Sequence, residues 1–243
     1  MSDNNTKKVR LIQQPLKNCY NENMNIIEVG SDEAGRGPLF GRVYCGAVVL
    51  PKDDSFDHFK MKDSKKFHSK KKIEEVAEYI KQSSIAWSVK YADEIKIDEI
   101  NILQATQLAM HDAINDVKRQ IIKQSKDKNI EIKMDDILLL IDGNYFNKLD
   151  HFNKITNKFE TMNSVLVEGG DNKYTSIAAA SILAKTERDK YIAELCINNP
   201  ELIERYGIDS NKGYGAKKHM DGIKEYGITR WHRRSFGICK QFV

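Results

Sequence analysis

The chain has 243 residues, of which 40% are apolar and 30% charged, and its formal net charge at pH 7 is +4. This length accommodates one domain, or one domain with a smaller addition. No segment has the roughly 18 apolar residues of a membrane span, and the start carries no apolar signal-peptide core. The four cysteines form no C-x-x-C pair, so a zinc site is disfavoured and a reduced, cytoplasmic setting is expected.

The chain begins with a polar segment, and two paired strands are predicted after it. Residues 1–24 are rich in Asn and Lys, which predicts a flexible tail. The apolar runs 26–29 and 43–50 predict strands. The glycines between them predict a turn that makes the pair antiparallel.

A helix, a third strand and a longer helix follow. Ser69 is a suitable N-cap for a helix over 70–82. Residues 85–91 alternate between apolar and polar side chains, as a half-buried strand does. Apolar residues recur at helical spacing from Asp98 onward, and the charged segment 118–136 is predicted to be a fraying helix end and a loop.

The second half of the chain predicts two more strands and a long helix. Residues 137–141 are continuously apolar, which is typical of a central strand buried on both faces. Residues 164–167 predict a fifth strand, and 176–195 a helix. We therefore predict an α/β fold, a mixed five-stranded sheet flanked by helices, with a main domain over 25–196 and a small C-terminal helical lobe over 197–243.

Acidic residues follow three of these strands. Asp32 and Glu33 follow the first strand, Asp142 the central strand and Asp171 the fifth. Ligands bind at strand ends of open α/β sheets, and converging carboxylates repel one another unless cations lie between them. Oxygen ligands suit Mg²⁺ or Mn²⁺, and two such ions about 3.5–4 Å apart can hydrolyse a phosphodiester. Taken singly, each acid also fits an ordinary loop carboxylate.

Basic and aromatic residues are concentrated in two regions. Segment 52–72 carries eight lysines, and segment 212–240 carries eight Lys or Arg residues against two acids, with four aromatic side chains among them. Such a mixture is typical of a surface that binds a phosphate backbone and stacks on sugars or bases. The lysines of 52–72 alone fit a solvated surface equally well.

Two further features have competing interpretations. The small residues 178–181 are predicted to open a helix whose N–H groups attract phosphate, but alanines there also suit close packing of a helix on a sheet. His219 and His232 are candidate general bases, although surface or core histidines are more common when no partner residue accompanies them.

Seven segments, in order along the chain, resemble the ribonuclease HII family, the type 2 ribonucleases H. They are 32–39 (DEAGRGPL), 63–66 (DSKK), 101–106 (NILQAT), 141–144 (IDGN), 179–185 (AASILAK), 212–214 (KGY) and 232–236 (HRRSF). The resemblance implies a ribonuclease H-like fold and hydrolysis of the RNA strand of RNA/DNA hybrids. It also implies cutting 5′ to ribonucleotides embedded in duplex DNA, which leaves 3′-hydroxyl and 5′-phosphate ends.

The resemblance further implies roles for individual residues. The acids that match the family's catalytic metal ligands are Asp32, Glu33, Asp142 and Asp171, with two Mg²⁺ or Mn²⁺ ions as cofactors. The residues that match substrate contacts are Gly35, Arg36 and Gly37 at the ribose 2′-hydroxyl, Tyr214 on the sugar at the RNA–DNA junction, Lys65 at a phosphate, and Ser181 and Lys185. Glu168 stands where the family usually has lysine, so Asp189 is kept as an alternative to Asp171.

We expect a monomer that acts on RNA/DNA hybrids and on duplex DNA containing ribonucleotides, without a membrane. One alternative is a ribonuclease HIII-like enzyme without junction specificity. That family carries an N-terminal substrate-binding domain, for which the 24 residues before the first strand are too few, and it lacks the junction tyrosine matched by Tyr214. The other alternative is a non-catalytic module that binds RNA/DNA hybrids, against which the presence of all four acids argues.

Overall fold

The computed structural model describes residues 16–153 and 156–243, which form a five-stranded sheet with helices on both faces. The strands are β1 (Ile27–Ala34), β2 (Val43–Val49), β3 (Ala86–Ala92), β4 (Ile137–Asp142), β5 (Asp150–Asn153), β6 (Lys158–Thr161) and β7 (Asn163–Val167). The helices are α1 (Lys70–Ser83), α2 (Glu94–Asp127), α3 (Thr175–Asn198), α4 (Glu201–Tyr206), α5 (Ile208–Asn211) and α6 (Lys217–Tyr226). The predicted mixed α/β fold is confirmed.

The main sheet has the strand order β3-β2-β1-β4-β7. The pairs β1–β2 and β2–β3 are antiparallel, whereas β4 runs parallel to β1 and to β7. The register between β1 and β4 aligns Ser31 with Ile141. The carboxyl ends of the three parallel strands therefore meet at one edge of the sheet, as predicted for the acidic residues.

Helices α2 and α3 cover opposite faces of this sheet. Val29 belongs to the core cluster beneath α2, whereas a Cβ atom built on Gly30 would lie 2.3 Å from the carbonyl carbon of Ser176 in α3. A Cβ atom on Gly46 would lie 2.4 Å from the carbonyl oxygen of Ala180. Both glycines let α3 approach the sheet closely. Successive β1 residues thus alternate between the α2 and α3 faces.

Close packing also explains the small residues of α3. The helix begins at Thr175, so residues 178–181 lie inside it rather than at its start, and the prediction that they open the helix is wrong. All three alanines of this run are fully buried. Their role in the fold is to let the helix pack closely on the sheet, which was the second interpretation of these residues in the sequence.

Helix α2 differs from the prediction at both ends. It begins one residue after its N-cap, Asp93, and not at Asp98, whose carboxylate instead accepts two backbone N–H groups of the C-terminal segment. It continues to Asp127, so half of the predicted fraying end and loop over 118–136 is helical. Asn101 interrupts the helix with φ 66°.

The segment directly before β1 is attached to the domain. The N–H of Lys17 donates to the carbonyl of Lys173, and the carbonyl of Lys17 accepts from the N–H of Thr175, the first residue of α3. The Glu28 carboxylate accepts N–H groups from Tyr20 at 2.9 Å and Asn21 at 2.7 Å. Part of the predicted flexible tail thus contacts the domain, while residues 1–15 lie outside the described residues.

The residues after α3 form the predicted small helical part. Its buried side chains pack around Phe40 and around Ile192 of α3, so its core is continuous with the loop after β1. The predicted boundary between residues 196 and 197 falls inside α3. The β5–β6 hairpin was not predicted, because its four-residue strands carry no alternating apolar pattern. Among the described helices, none has the length and apolarity needed to cross a membrane.

Candidate active site

Strand β1 brings two acids to the edge of the sheet. The strand extends through Ala34, so Asp32 and Glu33 lie within it. The prediction that they follow the strand is therefore wrong. Because neighbouring strand residues point to opposite faces, Asp32 lies on the α3 face and Glu33 on the α2 face. Both side chains line the same cleft, since the strand ends one residue later.

Asp142 ends β4 at the position beside Asp32. The register Ser31–Ile141 places the next residue of each strand, Asp32 and Asp142, at corresponding positions on the α3 face. One carboxylate oxygen of Asp142, Oδ1, accepts a 2.6 Å hydrogen bond from the N–H of Gly170. The end of β4 is thereby tied to the turn that follows β7.

That turn carries the fourth acid. Asp171 lies in the 3₁₀ turn Gly170–Asn172, which the chain enters through Gly169 in the left-handed region, at φ 60°. The Asp171 side chain is buried and accepts a 2.9 Å hydrogen bond from the amide of Asn172. The charges of Asp63 and Asp142 both act on it.

The alternative fourth acid, Asp189, also lines the cleft. Its carboxylate lies 3.0 Å from the ammonium of Lys185, one helical turn away on α3. Asp189 is thus neutralised within its own helix, whereas Asp171 faces the charge of Asp142. The arrangement favours Asp171 as the partner of the strand-end acids.

Burial and mutual repulsion raise the pKa values of three of these acids. The pKa of Asp32 lies well above its ordinary value, first because of burial and then because of the charges of Glu33 and Asp142. Burial also raises the pKa of Glu33, against the opposing charge of Arg36 at 3.4 Å. Burial and the neighbouring acids raise the pKa of Asp171. The three shifts together show carboxylates that are desolvated first and repelled by one another second.

A divalent cation that prefers oxygen ligands fits these four carboxylates, because it would relieve the repulsion that contributes to the three raised pKa values. In residues 16–153 and 156–243, no three His, Cys, Asp or Glu side chains already meet around one point. Glu33 turns toward Arg36 and Asp142 toward Gly170. Joint coordination of an ion by the four acids therefore requires side-chain rotation.

The cleft holds all the metal-ligand and substrate-contact residues predicted from the sequence. Its volume is about 470 Å³. The predicted residues that line it are Asp32, Glu33, Gly35, Arg36, Gly37, Lys65, Asp142, Asp171, Ser181, Lys185 and Tyr214. Further cations in its wall, Arg188 and Lys212, add to the positive charge that faces the acids.

The glycine turn and the tyrosine lie next to each other in the wall of the cleft. A Cβ atom on Gly37 would lie 3.4 Å from Cε1 of Tyr214, so the ring lies directly above this glycine. Half of the Tyr214 side chain is exposed. Gly35 has φ +96°, a conformation that favours glycine, and a Cβ atom there would meet Nε of Arg188 at 2.2 Å. The turn therefore requires glycine at its first position.

Several structural residues of the site were not predicted. The Ser64 hydroxyl lies 3.1 Å from that of Ser181 and joins the lysine-bearing loop to α3. Two buried arginines, Arg188 and Arg233, donate to backbone carbonyls around the glycine turn. Arg233 belongs to the HRRSF segment, but nothing in its sequence spacing indicates a buried cation.

The two candidate histidines lie outside the cleft. Their Nε2 atoms are 3.0 Å apart, and both side chains are fully buried. The N–H of Thr229 donates to Nδ1 of His232, which places the proton of the neutral ring on Nε2. His232 then donates to His219, whose Nδ1–H donates to the carbonyl of Tyr214 at 2.8 Å. The core interpretation of both histidines therefore fits, and the general-base interpretation does not.

Comparison with known proteins agrees with this arrangement. The family model described as Ribonuclease HII matches residues 29–239. The Ribonuclease HII of Phocaeicola vulgatus is 41% identical over 218 residues, covering 89% of this chain and 92% of the relative. That of Pelagibacter ubique is 42% identical over 210 residues, covering 86% and 95%.

Solved structures share the fold at low identity. Ribonuclease H2 from Pyrococcus horikoshii OT3 superposes with a TM-score of 0.59 at 22% identity, covering 89% of this chain and 97% of that one. A ribonuclease HIII, Bst-RNase HIII in complex with Mn²⁺, gives 0.54 at 18% identity, covering 84% and 63%. The family-model match and the level of identity to its curated members decide the assignment. The chain belongs to the ribonuclease HII family and is an endoribonuclease.

Proposed function

We propose that the protein hydrolyses the RNA strand of RNA/DNA hybrids and cuts 5′ to ribonucleotides embedded in duplex DNA. The observation that carries this proposal is that one cleft is lined both by Asp32, Asp142 and Asp171 and by the Gly37–Tyr214 pair. The acids supply the chemistry, and the pair supplies a place to recognise the sugar.

The residues that would hold Mg²⁺ or Mn²⁺, as two ions, are Asp32, Glu33, Asp142 and Asp171. When bound, the ions activate water and stabilise the leaving 3′ oxygen, which yields 3′-hydroxyl and 5′-phosphate ends. Burial destabilises the charged carboxylates of Asp32 and Asp171 and raises their pKa values, a cost that a bound cation would offset. The Ser181 hydroxyl hydrogen-bonds Asp32 in its ionised form.

Recognition of the substrate rests on the glycine turn and on Tyr214. The backbone of the turn Gly35–Arg36–Gly37 lies close enough to Tyr214 for a ribose to contact both, and the turn would hydrogen-bond its 2′-hydroxyl. The exposed half of the Tyr214 ring suits packing on a sugar at the RNA–DNA junction. Lys65 and Lys185 line the cleft where phosphates would lie. We propose that the enzyme acts as a monomer in the cytoplasm.

Cleavage of labelled duplexes tests the proposal. A duplex with one ribonucleotide, a uniform RNA/DNA hybrid, an all-DNA duplex and single-stranded RNA are each incubated with Mg²⁺, Mn²⁺ or EDTA. We expect cuts 5′ to the single ribonucleotide and along the hybrid, only with metal, and a 3′ end that a DNA polymerase extends. Asp112→Asn, an exposed acid on α2 outside the cleft, serves as the control for Asp32→Asn.

Each alternative predicts a different pattern. A ribonuclease HIII-like enzyme would cut the hybrid and leave the single-ribonucleotide duplex intact. A non-catalytic module would bind the hybrid equally with and without Mg²⁺ and release no product. Cleavage that is unchanged in Asp32→Asn would overturn the assignment of the acids.

A further inference from the structure

Arg233 is a fully buried cation that binds the glycine turn from behind. Its side chain is 0% exposed. Nη2 donates to the carbonyl of Gly35 at 2.6 Å, and Nη1 donates to those of Arg36 at 2.9 Å and Pro38 at 2.8 Å. Nε donates to the carbonyl of Gly41 at 2.8 Å. One guanidinium thus fixes four carbonyls of a seven-residue loop.

The partners of this cation are backbone oxygens rather than a carboxylate. A buried guanidinium is costly unless its N–H groups are satisfied, and four of its five are. Burial and the nearby charge of Arg188 lower the pKa of Arg233 to about 9, so the group remains a cation at neutral pH. The four hydrogen bonds hold the loop in one conformation, because the N–H groups of a planar guanidinium have fixed directions and each carbonyl must point at one of them.

The directions of these carbonyls determine where the turn's N–H groups point. The C=O and N–H of a trans peptide point in opposite directions, and the described chain has no cis peptide. The carbonyls of Gly35 and Arg36 point inward to Arg233. The N–H groups of Arg36 and Gly37, which share those peptide planes, therefore point away from Arg233, and both residues line the cleft.

We propose that Arg233 is a positioning residue for substrate recognition, which holds the N–H groups of Arg36 and Gly37 toward a ribose 2′-hydroxyl oxygen. The inference rests on the proposed function, and it assigns to Arg233 the role of making the turn selective for ribose over deoxyribose. Arg233 does not touch the substrate. It acts through the peptide planes of the turn, and its loss frees the planes to rotate.

Discrimination between ribose and deoxyribose tests this role. Binding of a single-ribonucleotide duplex and of the matching all-DNA duplex is measured in EDTA, where no cleavage is expected. In Arg233→Lys the cation remains, but one ammonium cannot reach four carbonyls. We expect the ratio of the two affinities to fall by about tenfold or more, with affinity for the all-DNA duplex within about twofold of wild type. Arg119→Lys, an exposed arginine on α2, should keep the wild-type ratio.

A second measurement does not depend on the variant folding. In the wild-type protein labelled with ¹⁵N, the amide resonances of Arg36 and Gly37 should shift with the single-ribonucleotide duplex and not with the all-DNA duplex. Equal shifts with both duplexes, or an unchanged affinity ratio in folded Arg233→Lys, would overturn the role of Arg233. Failure of the wild-type enzyme to cut the single-ribonucleotide duplex would instead overturn the proposed function.

Discussion

Asp142 accepts a 2.6 Å hydrogen bond from the backbone N–H of Gly170, and this bond joins the end of β4 to the turn that carries Asp171. The same carboxylate is a proposed metal ligand, so Asp142 has both a structural and a chemical role. The two roles can be separated because an amide oxygen accepts a hydrogen bond but carries no charge.

The first prediction uses that difference. Asp142→Asn keeps an acceptor for Gly170 and should unfold at nearly the wild-type temperature, while activity falls at least about a hundredfold. Asp142→Ala also loses the acceptor and should cost a further ~1–3 kcal/mol in the free energy of unfolding. Thermal melts and duplex cleavage of both variants check this. Equal stability of the two variants would mean that the bond to Gly170 contributes nothing.

The second prediction concerns cation binding near Asp32. Its folded-state pKa is raised, so its contribution to stability is present at low pH and is lost as pH rises through that pKa. In metal-free protein at neutral pH, Asp32→Asn should therefore unfold at an equal or higher temperature than wild type. Mg²⁺ should stabilise wild type, by about 2.7 kcal/mol at a hundredfold excess over Kd, and stabilise the variant much less. An equal response to Mg²⁺ in both proteins would place the ion elsewhere.

The third prediction concerns the exposed lysine of the cleft. If Lys65 contacts a phosphate, Lys65→Ala should weaken duplex binding and reduce the slope of log affinity against log salt by about 1. Lys71, an exposed lysine of α1 in the same basic segment, provides the matched control, and Lys71→Ala should leave the slope unchanged. Titrations at several salt concentrations measure both. The same slope in both variants would favour the solvated-surface interpretation of segment 52–72.

The strand-end acids could be predicted because apolar runs mark buried strands, and the residues after such a run lie at the edge of the sheet. The exact end of β1 could not be predicted in this way. Its polar residues stay in the strand because β2 continues to pair with it as far as Ala34, as in Glu33–Cys45, although the pairing with β4 ends at Ser31. The length of a central strand is thus decided by its neighbours as much as by its own residues.

The buried arginines show where sequence patterns carry no signal. Arg233 donates to carbonyls that lie 192 to 198 positions earlier in the chain, and backbone carbonyls have no residue type to recognise. The same holds for the His219–His232 pair, whose outer partners are the backbone of Thr229 and Tyr214. Contacts from side chain to backbone across the fold therefore require the structure.

The fourth prediction follows from that histidine pair. Burial lowers the pKa of His232 to about 3 and also lowers that of His219, so the folded protein disfavours protonation of both rings. The unfolded chain binds protons near pH 6.5, and stability should therefore fall as pH drops from 6.5 toward 3. The slope per histidine approaches about 1.4 kcal/mol per pH unit.

The variant His232→Gln tests this. The pH dependence of its free energy of unfolding should be shallower than in wild type, measured by urea unfolding between pH 7.5 and 5. Parallel curves would show that the ring does not resist protonation.

The final prediction compares the two glycines of the turn. Gly35 has φ +96°, and a methyl group there would meet Nε of Arg188 at 2.2 Å, so Gly35→Ala should destabilise the fold by about 1–2 kcal/mol or more.

At Gly37 the backbone is not in the left-handed region, and a methyl group would make an ordinary 3.4 Å contact with Tyr214. Gly37→Ala should therefore melt like wild type. Its methyl group would nevertheless fill space beside the Tyr214 ring in the wall of the cleft, where the proposed function has the ribose contact both the turn and the ring. We expect kcat/KM on the single-ribonucleotide duplex to fall about tenfold or more, equivalent to about 1.4 kcal/mol of transition-state stabilisation. A Gly37→Ala enzyme of wild-type activity would show that the ribose does not pack against Gly37, because an added methyl group would displace a sugar that lies there.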